Sequence, residues 1–157
     1  KSLGQEIAAH TEHFDYVIAP IGGGGLVSGI IQGIKESGKT KTTVVGAEPA
    51  VANDASRSLK AGRLIANEFE PPTIADGART LGVIEPCFTY LKKLSDILEI
   101  SEEEIIFWQK TFLDATNVLI EPTSALAVAG LEQHMEKNPL AKNQKFLVII
   151  SGGNLEL

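Results

Sequence analysis

The sequence Asp15-Tyr-Val-Ile-Ala-Pro-Ile-Gly-Gly-Gly-Gly-Leu-Val-Ser-Gly-Ile30 predicts a strand, a glycine turn and the start of a helix in direct succession. Residues 15–21 are mostly apolar and rich in β-branched side chains, which is typical of a strand covered on both faces. Beyond the glycines, apolar side chains recur at helical spacing, at Leu26, Ile30, Ile31 and Ile34. This order indicates a parallel α/β sheet with the turn at the carboxyl end of a strand.

The turn itself has the composition of an anion site. Bare N–H groups ahead of a helix suit a phosphate, and a backbone without Cβ atoms can approach a ligand closely. A tight connection without any ligand is the alternative, but such a turn rarely needs four glycines, whose ordering costs conformational entropy. The residues expected to bind the phosphate are Gly22, Gly23, Gly24 and Gly25, followed by Leu26.

Two common phosphate-binding motifs do not fit this stretch. The spacing from Gly24 to Gly29 matches a P-loop, but the Lys and Ser/Thr that must follow are absent. A dinucleotide fingerprint needs a third glycine where Val27 or Ser28 stands. The glycine run therefore indicates a phosphorylated ligand of another class.

Composition limits the possible functions. The chain has 157 residues, of which 43% are hydrophobic and 22% charged, which is enough for one globular domain with a core. A net charge of −6 without a Lys/Arg cluster argues against a nucleic-acid partner. No apolar run reaches about eighteen residues, and no signal-peptide pattern occurs, so we expect no membrane partner. The single Cys87 excludes an internal disulfide and favours a cytoplasmic location.

The rest of the chain continues the α/β pattern. A second buried strand at residues 42–47 ends in Glu48-Pro49, so strand, helix and strand form a parallel βαβ unit. Ser101 and Glu104 form a capping box that opens a helix through about Thr116. Further helices are predicted at 2–13, 53–61, 86–94 and from Pro122 through 125–135, further strands at 96–100 and 145–150, and a long irregular segment at 67–80.

Five stretches together resemble the fold-type II pyridoxal-phosphate enzymes, and most closely the family of serine/threonine dehydratases (threonine ammonia-lyases) and serine racemases. They are Pro-Ile-Gly-Gly-Gly-Gly-Leu at 20–26, Gly-Ala-Glu-Pro at 46–49, Pro-Pro-Thr-Ile-Ala-Asp-Gly at 71–77, Leu-Ile-Glu-Pro-Thr at 119–123 and Ser-Gly-Gly-Asn at 151–154. They follow the family's order over nearly the whole chain. The resemblance implies a doubly wound, three-layer α/β/α parallel sheet, similar to the tryptophan synthase β-subunit.

The resemblance also implies roles for individual residues around pyridoxal 5′-phosphate. The glycine run would bind the phosphate, Ser151 would hydrogen-bond the pyridine nitrogen, and Asn154 would help to hold the loop of Ser151. Glu121 would lie near the ring and the substrate, although an acid at a helix start also suits the helix dipole without any ligand. Gly77 would border the ring and the substrate.

A divalent cation site is implied in some members of this family. There a glutamate, a backbone carbonyl and an aspartate hold Mg²⁺ or Ca²⁺, and the matching positions here are Glu48, Ala52 and Asp54. Oxygen ligands suit such hard cations. The alternative is that Glu48 is only an acid at a strand end and Asp54 only a surface helix cap.

The chain departs from the family in lacking its Schiff-base lysine. That lysine stands in a Ser-x-Lys-x-Arg-Gly-like context, which matches none of Lys35, Lys39, Lys41, Lys60, Lys92, Lys93, Lys110, Lys137, Lys142 and Lys145. In the family, the lysine and the small domain precede this region. We therefore expect residues 1–157 to be the C-terminal part of the cofactor-binding large domain of a longer homo-oligomeric enzyme, a dimer or tetramer, and to be inactive alone.

The expected reaction of the parent protein is the deaminating dehydration of L-threonine or L-serine to a 2-oxo acid and ammonia. Serine racemisation is the alternative within the family. From other classes, a non-catalytic dinucleotide-binding module remains possible, with Glu48 as the ribose acid, and so does a piece that only assists dimer assembly.

Overall fold

The computed structural model describes residues 1–38 and 41–153, apart from the side chain of Lys142. Four strands form the sheet: β1 (Tyr16–Pro20), β2 (Thr43–Pro49), β3 (Asp96–Ile100) and β4 (Phe146–Val148). Six α-helices accompany it: α1 (Ser2–Ala9), α2 (Gly25–Glu36), α3 (Asp54–Ala61), α4 (Glu85–Leu91), α5 (Glu102–Thr116) and α6 (Pro122–Lys137). Short 3₁₀ helices occur at Ala50–Ala52, Asp76–Ala78 and Pro139–Asn143.

All the strand pairs in the sheet are parallel, and the spatial order is β3-β2-β1-β4. Alternate residues of β1 enter two separate cores, because successive side chains of a strand point to opposite faces. Val17 and Ala19 join the core beneath α1, α2 and α4, whereas Ile18 joins the core beneath α5 and α6. The predicted doubly wound, three-layer α/β/α fold is therefore confirmed.

Small residues bring α6 close to the sheet. Ala125, Ala127 and Ala129 are buried, and a Cβ added at Gly130 would lie 3.1 Å from the Cβ of Ala47 on β2. Trp108 and Phe112 of α5 pack against the same core, because residues four apart lie on one face of a helix. The indole N–H of Trp108 donates to Glu132 over 2.8 Å, which satisfies its polar edge.

Most predicted elements are present, and the errors lie at their ends. The helix predicted over 2–13 stops at Ala9, because His10 takes an extended conformation with ψ of 143°. The helix predicted over 86–94 ends at Leu91, and the strand predicted over 145–150 contracts to Phe146–Val148, which within the described part of the chain pairs with β1 alone. Gly62 ends α3 with φ of +70°, as a left-handed C-terminal glycine should.

No helix in the two described ranges combines the length and the apolar character that crossing a lipid bilayer requires.

The capping box of α5 allows a stability prediction. The hydroxyl of Ser101 accepts the N–H of Glu104, and the carboxylate of Glu104 accepts the N–H of Ser101. Replacing Ser101 with alanine is expected to lower the free energy of unfolding by about 1 kcal/mol, because one N–H of the first turn loses its partner. Urea denaturation measures this change. S101T retains the acceptor and should stay near the wild-type value, and an equal loss in both variants would contradict the capping role.

Candidate functional site

A cavity of about 280 Å³ lies beyond the carboxyl ends of β1 and β4. This is the position at which ligands bind in open parallel sheets. Its walls come from four chain segments: the end of β1 with the glycine run, the loop around Gly77, the start of α6, and the residues after β4. The lining residues are Pro20, Gly22, Gly23, Gly24, Gly25, Leu26, Gly77, Glu121, Thr123 and Ser151.

Within the glycine run, two positions leave space for a ligand. A Cβ added at Gly23 or Gly25 would meet no atom within 4 Å, so nothing in the described protein requires a glycine there. Over the described residues, the N–H groups of the run donate to no other protein group, and Gly25 begins α2, where backbone donors have no partner within the helix. These features fit a bound phosphate.

The other two glycines of the run are required by the fold itself. Gly24 has φ of +86°, and a Cβ there would lie 3.0 Å from the Cβ of Cys87. At Gly22 an added Cβ would collide with the carbonyl oxygen of Gly77. The glycine run is therefore packed directly against the loop that carries Gly77.

The loop at Gly77 is attached to the start of α6 through Thr123. The N–H of Gly77 donates to the hydroxyl of Thr123 over 3.0 Å, and that hydroxyl donates to the carboxylate of Asp76 over 3.2 Å. Two chain segments separated by more than forty positions in sequence thus share one wall of the cavity.

The residues after β4 are attached to the same helix start. The N–H of Glu121 donates to the carbonyl of Gly152 over 3.1 Å, and the hydroxyl of Ser124 bonds to both backbone groups of Gly152. A Cβ on Gly152 would collide with the carboxylate of Glu121, so a side chain at this position would displace that carboxylate from its place beside Ser151. Although Glu121 is the N-cap of α6, its side chain makes no capping bond and instead lines the cavity.

The structure brings together all the predicted cofactor residues that it describes. Those residues are Gly22, Gly23, Gly24, Gly25, Leu26, Gly77, Glu121 and Ser151. Asn154, the remaining one, lies outside the described residues. Sequence reasoning missed Pro20 and Thr123 as lining residues, although both belong to stretches that it singled out. Their contribution depends on side-chain direction, which spacing alone does not give.

The three residues predicted to hold a cation lie at the end of β2, in the short 3₁₀ helix that follows it and at the start of α3. Glu48 is 1% exposed, and its carboxylate accepts the N–H groups of Ala55 over 3.1 Å and Ser56 over 2.8 Å. Asp54 is 3% exposed, so the alternative of a surface cap is wrong for it. Its carboxylate accepts the N–H of Val83 over 2.9 Å and the amide of Asn67 over 3.0 Å. Ala52, buried in the short helix between them, supplies a backbone carbonyl nearby in the chain.

Burial dominates the electrostatics of this acid pair. It raises the pKa of Glu48 to about 8. The hydrogen bond from the N–H of Ser56 acts to lower this pKa, and the negative charge of Asp54 acts to raise it further. Burial also raises the pKa of Asp54. Neighbouring Glu99 differs, since hydrogen bonds from Asn53 and Ser56 lower its pKa to about 2. Two buried carboxylates with raised pKa values fit a cation, which would favour their ionised forms.

The acid pair is connected to the glycine run by two consecutive backbone donors. The N–H of Val83 donates to Asp54, and the next N–H, of Ile84, donates to the carbonyl of Gly23 over 3.2 Å. The described residues contain no cluster of three His, Cys, Asp or Glu side chains able to hold a metal. A cation here therefore needs backbone carbonyls or water to complete its coordination.

Two features bear on whether the chain binds a dinucleotide and whether it supplies a Schiff-base lysine. The buried carboxylate of Glu48 is engaged with the start of α3, which leaves it poorly placed to reach the ribose of a dinucleotide. No lysine of the described residues lines the cavity. Among the described residues, the cavity thus offers backbone N–H donors for a phosphate, the hydroxyls of Thr123 and Ser151 and the carboxylate of Glu121, but no amine.

Comparison with known proteins matches this arrangement to one family. The family model described as pyridoxal-phosphate dependent enzyme matches residues 1–152. The chain is 33% identical to serine racemase of Schizosaccharomyces pombe, covering 99% of this chain and 47% of that protein. It is 35% identical to beta-hydroxyaspartate dehydratase of Paracoccus denitrificans, covering 99% and 48%.

A solved structure shows the same architecture. The threonine deaminase of T.th. superposes with a TM-score of 0.81 at 36% identity, covering 92% of this chain and 52% of that chain. The chain spans about half the length of the curated relatives it matches. Its fold, its glycine-lined cavity and these matches agree, and the chain belongs to the pyridoxal-phosphate dependent enzyme family.

Proposed function

We propose that this chain forms the phosphate and ring-nitrogen side of the active site of a pyridoxal-phosphate-dependent ammonia-lyase acting on L-threonine or L-serine. The observation that carries the proposal is the convergence of the glycine run, Ser151 and Glu121 on one cavity at the strand ends. Relatives named as a dehydratase and a threonine deaminase support this reaction class.

The glycine run is proposed to bind the phosphate. Its N–H groups are without partners among the described residues, and the positive end of the α2 dipole favours an anion. Open space at Gly23 and Gly25 lets phosphate oxygens approach the backbone, as no side chain intervenes. This contact anchors the cofactor without using any charged side chain.

Ser151 is proposed to hydrogen-bond the pyridine nitrogen, with Asn154 supporting its loop. Pyridoxal phosphate, when bound, supplies an electron sink for the negative charge left at the substrate α-carbon. A neutral hydroxyl does not force the nitrogen to be protonated, as a carboxylate would, and so moderates that sink. Glu121, Gly77 and Leu26 line the same cavity and would border the ring and the substrate.

The missing amine is proposed to come from a longer protein. On this hypothesis residues 1–157 are the C-terminal part of the large domain, and the Schiff-base lysine and the small domain precede them. The full protein would be a homo-oligomer, dimer or tetramer, located in the cytoplasm, with no membrane or nucleic-acid partner. The chain by itself would then bind cofactor without turning over an amino acid.

A cation at Glu48, Ala52 and Asp54 is proposed as a stabilising or activating element. The raised pKa values of both buried carboxylates support it, because Mg²⁺ or Ca²⁺ would compensate their charge. The hydrogen bonds from Val83 to Asp54 and from Ile84 to Gly23 would connect such a cation to the phosphate site through two consecutive backbone N–H groups. It would have no part in the chemical step.

Serine racemisation is the second candidate, favoured by the similarity to a relative named serine racemase. Both reactions include loss of the substrate α-proton, but racemisation also requires a base on the opposite face of the substrate. No residue of the described cavity distinguishes the two, so the substrate test includes both products.

The proposal is tested by titrating the purified chain with pyridoxal phosphate, with pyridoxal and with NAD, followed by absorbance and fluorescence. Saturable binding that requires the phosphate is expected, with no stoichiometric adduct at any one lysine after borohydride reduction and no 2-oxo acid or D-serine formed from L-serine. Preferential binding of NAD would refute the proposal and favour a dinucleotide module. A stoichiometric adduct trapped at one particular lysine would show that the amine lies within this chain after all.

A further inference from the structure

The buried hydroxyl of Ser124 binds the backbone of Gly152, the residue that follows the proposed ring contact Ser151. Ser124, in the first turn of α6, is 0% exposed. Its hydroxyl accepts a hydrogen bond from the N–H of Gly152 over 2.9 Å and donates one to the carbonyl of the same residue over 2.8 Å. It also lies 3.3 Å from the hydroxyl oxygen of Ser151. Both backbone polar groups of Gly152 are therefore bound by a single side chain.

We propose that Ser124 is a positioning residue that directs the Ser151 hydroxyl toward the nitrogen of the cofactor ring. This inference rests on the proposed function, since it takes Ser151 as the ring contact. Ser151 itself is exposed and follows a strand of only three residues, so regular sheet pairing does not hold it in place. The hydrogen bonds between Gly152 and the buried Ser124 restrain the position of Ser151 instead.

The count of protons at Ser124 adds a second effect. A serine hydroxyl has one proton and two acceptor lone pairs. The proton of Ser124 is used in the 2.8 Å bond to the carbonyl of Gly152, so Ser151 must be the donor in the contact between the two hydroxyls. At 3.3 Å that contact is long and weak. A ring nitrogen can therefore compete for the proton of Ser151, while Ser124 keeps its bonds to Gly152.

The chain contains a matched control for this arrangement. Ser58 on α3 is also 0% exposed, and its hydroxyl accepts the N–H of Ile65 over 2.8 Å and donates to the carbonyl of Ile65 over 3.2 Å. It does not line the cavity. S124A and S58A thus delete the same pair of bonds in two places, and both are expected to destabilise the chain by a similar amount.

The two variants should differ in ligand binding. Relative to S58A, we expect S124A to weaken pyridoxal phosphate binding by about tenfold and to leave the affinity for inorganic phosphate within about twofold. A purely structural role would weaken both ligands equally. In the S151A background, S124A should cause no further loss of pyridoxal phosphate affinity, since Ser124 acts through the Ser151 hydroxyl that this background already lacks.

Each result has a distinct meaning. Equal losses of pyridoxal phosphate affinity in S124A and S58A, or an undiminished effect of S124A in the S151A background, would overturn the positioning role. If S151A weakens binding and S124A does not, the proposed function stands and this inference fails. Binding of inorganic phosphate without any preference for pyridoxal phosphate removes the ring contact and the inference with it. Binding of neither ligand refutes the proposed function as well.

Discussion

Replacing Gly23 with alanine is expected to weaken pyridoxal phosphate binding by about 10- to 100-fold without destabilising the fold. The added methyl group meets no protein atom within 4 Å, so it causes no internal clash, but it occupies space beside the proposed phosphate position. Gly23 does not have a positive φ, so alanine can adopt its backbone conformation. Since alanine also restricts the unfolded chain, the free energy of unfolding should be unchanged or rise by about 0.4–1 kcal/mol. Ligand titration and urea denaturation of the same samples measure the two effects.

Gly24 provides the contrasting control in the same loop. Alanine there must adopt φ of +86° and place its Cβ 3.0 Å from that of Cys87. G24A should therefore lower the free energy of unfolding by about 2–3 kcal/mol, whether or not a ligand is present. If G23A binds pyridoxal phosphate as tightly as the wild type, the phosphate does not lie against the glycine run.

The buried acid pair should make stability depend on pH and on divalent cations. In the presence of a chelator, the free energy of unfolding is expected to fall by about 2–3 kcal/mol between about pH 6 and pH 9. The sign follows from Glu48, whose pKa is about 8 in the folded chain against 4.5 as a reference value. The folded state holds that proton more tightly, so the stabilisation is complete below about pH 4.5 and is lost as pH rises through about 8.

Ca²⁺ or Mg²⁺ should reverse this loss. A cation that binds the two ionised carboxylates of Glu48 and Asp54 stabilises the folded chain more at high pH, where no proton competes with it. Thermal unfolding at several pH values, with chelator or with Ca²⁺, measures the effect. D54N is expected to lose the response to Ca²⁺, whereas D96N, which alters an acid at the start of β3, should keep it. A Ca²⁺ response that survives in D54N would place the cation elsewhere.

Local sequence signals predicted the order of elements and the class of fold. The apolar run before Gly22 and the capping box of Ser101 each act through neighbours a few residues away, which is why they could be recognised in isolation. Helix and strand ends were predicted less well. Whether α1 continues past Ala9 depends on how the chain turns into β1, and the length of β4 depends on its pairing with β1.

The sequence also identified most of the candidate site, since five stretches in family order imply common roles for their residues. It could not show that Asp54 is buried and bonded to Val83, because those residues are far apart in the chain. Nor could it assign Ser124, a residue whose type is common in the first turn of any helix and whose importance comes from contact with Gly152.

By itself, then, the sequence predicted a parallel α/β fold and a glycine-rich candidate anion site from residue type and local spacing, and the family resemblance indicated that no lysine stands in the Schiff-base context. Only the tertiary structure decided which glycines leave room for a ligand and which pack against protein, since Gly23 and Gly24 are chemically identical. It also decided that Glu48 and Asp54 share one buried environment and that Ser124 holds the loop of Ser151. These properties arise from burial and distance between segments remote in sequence, which a pattern along the chain does not contain.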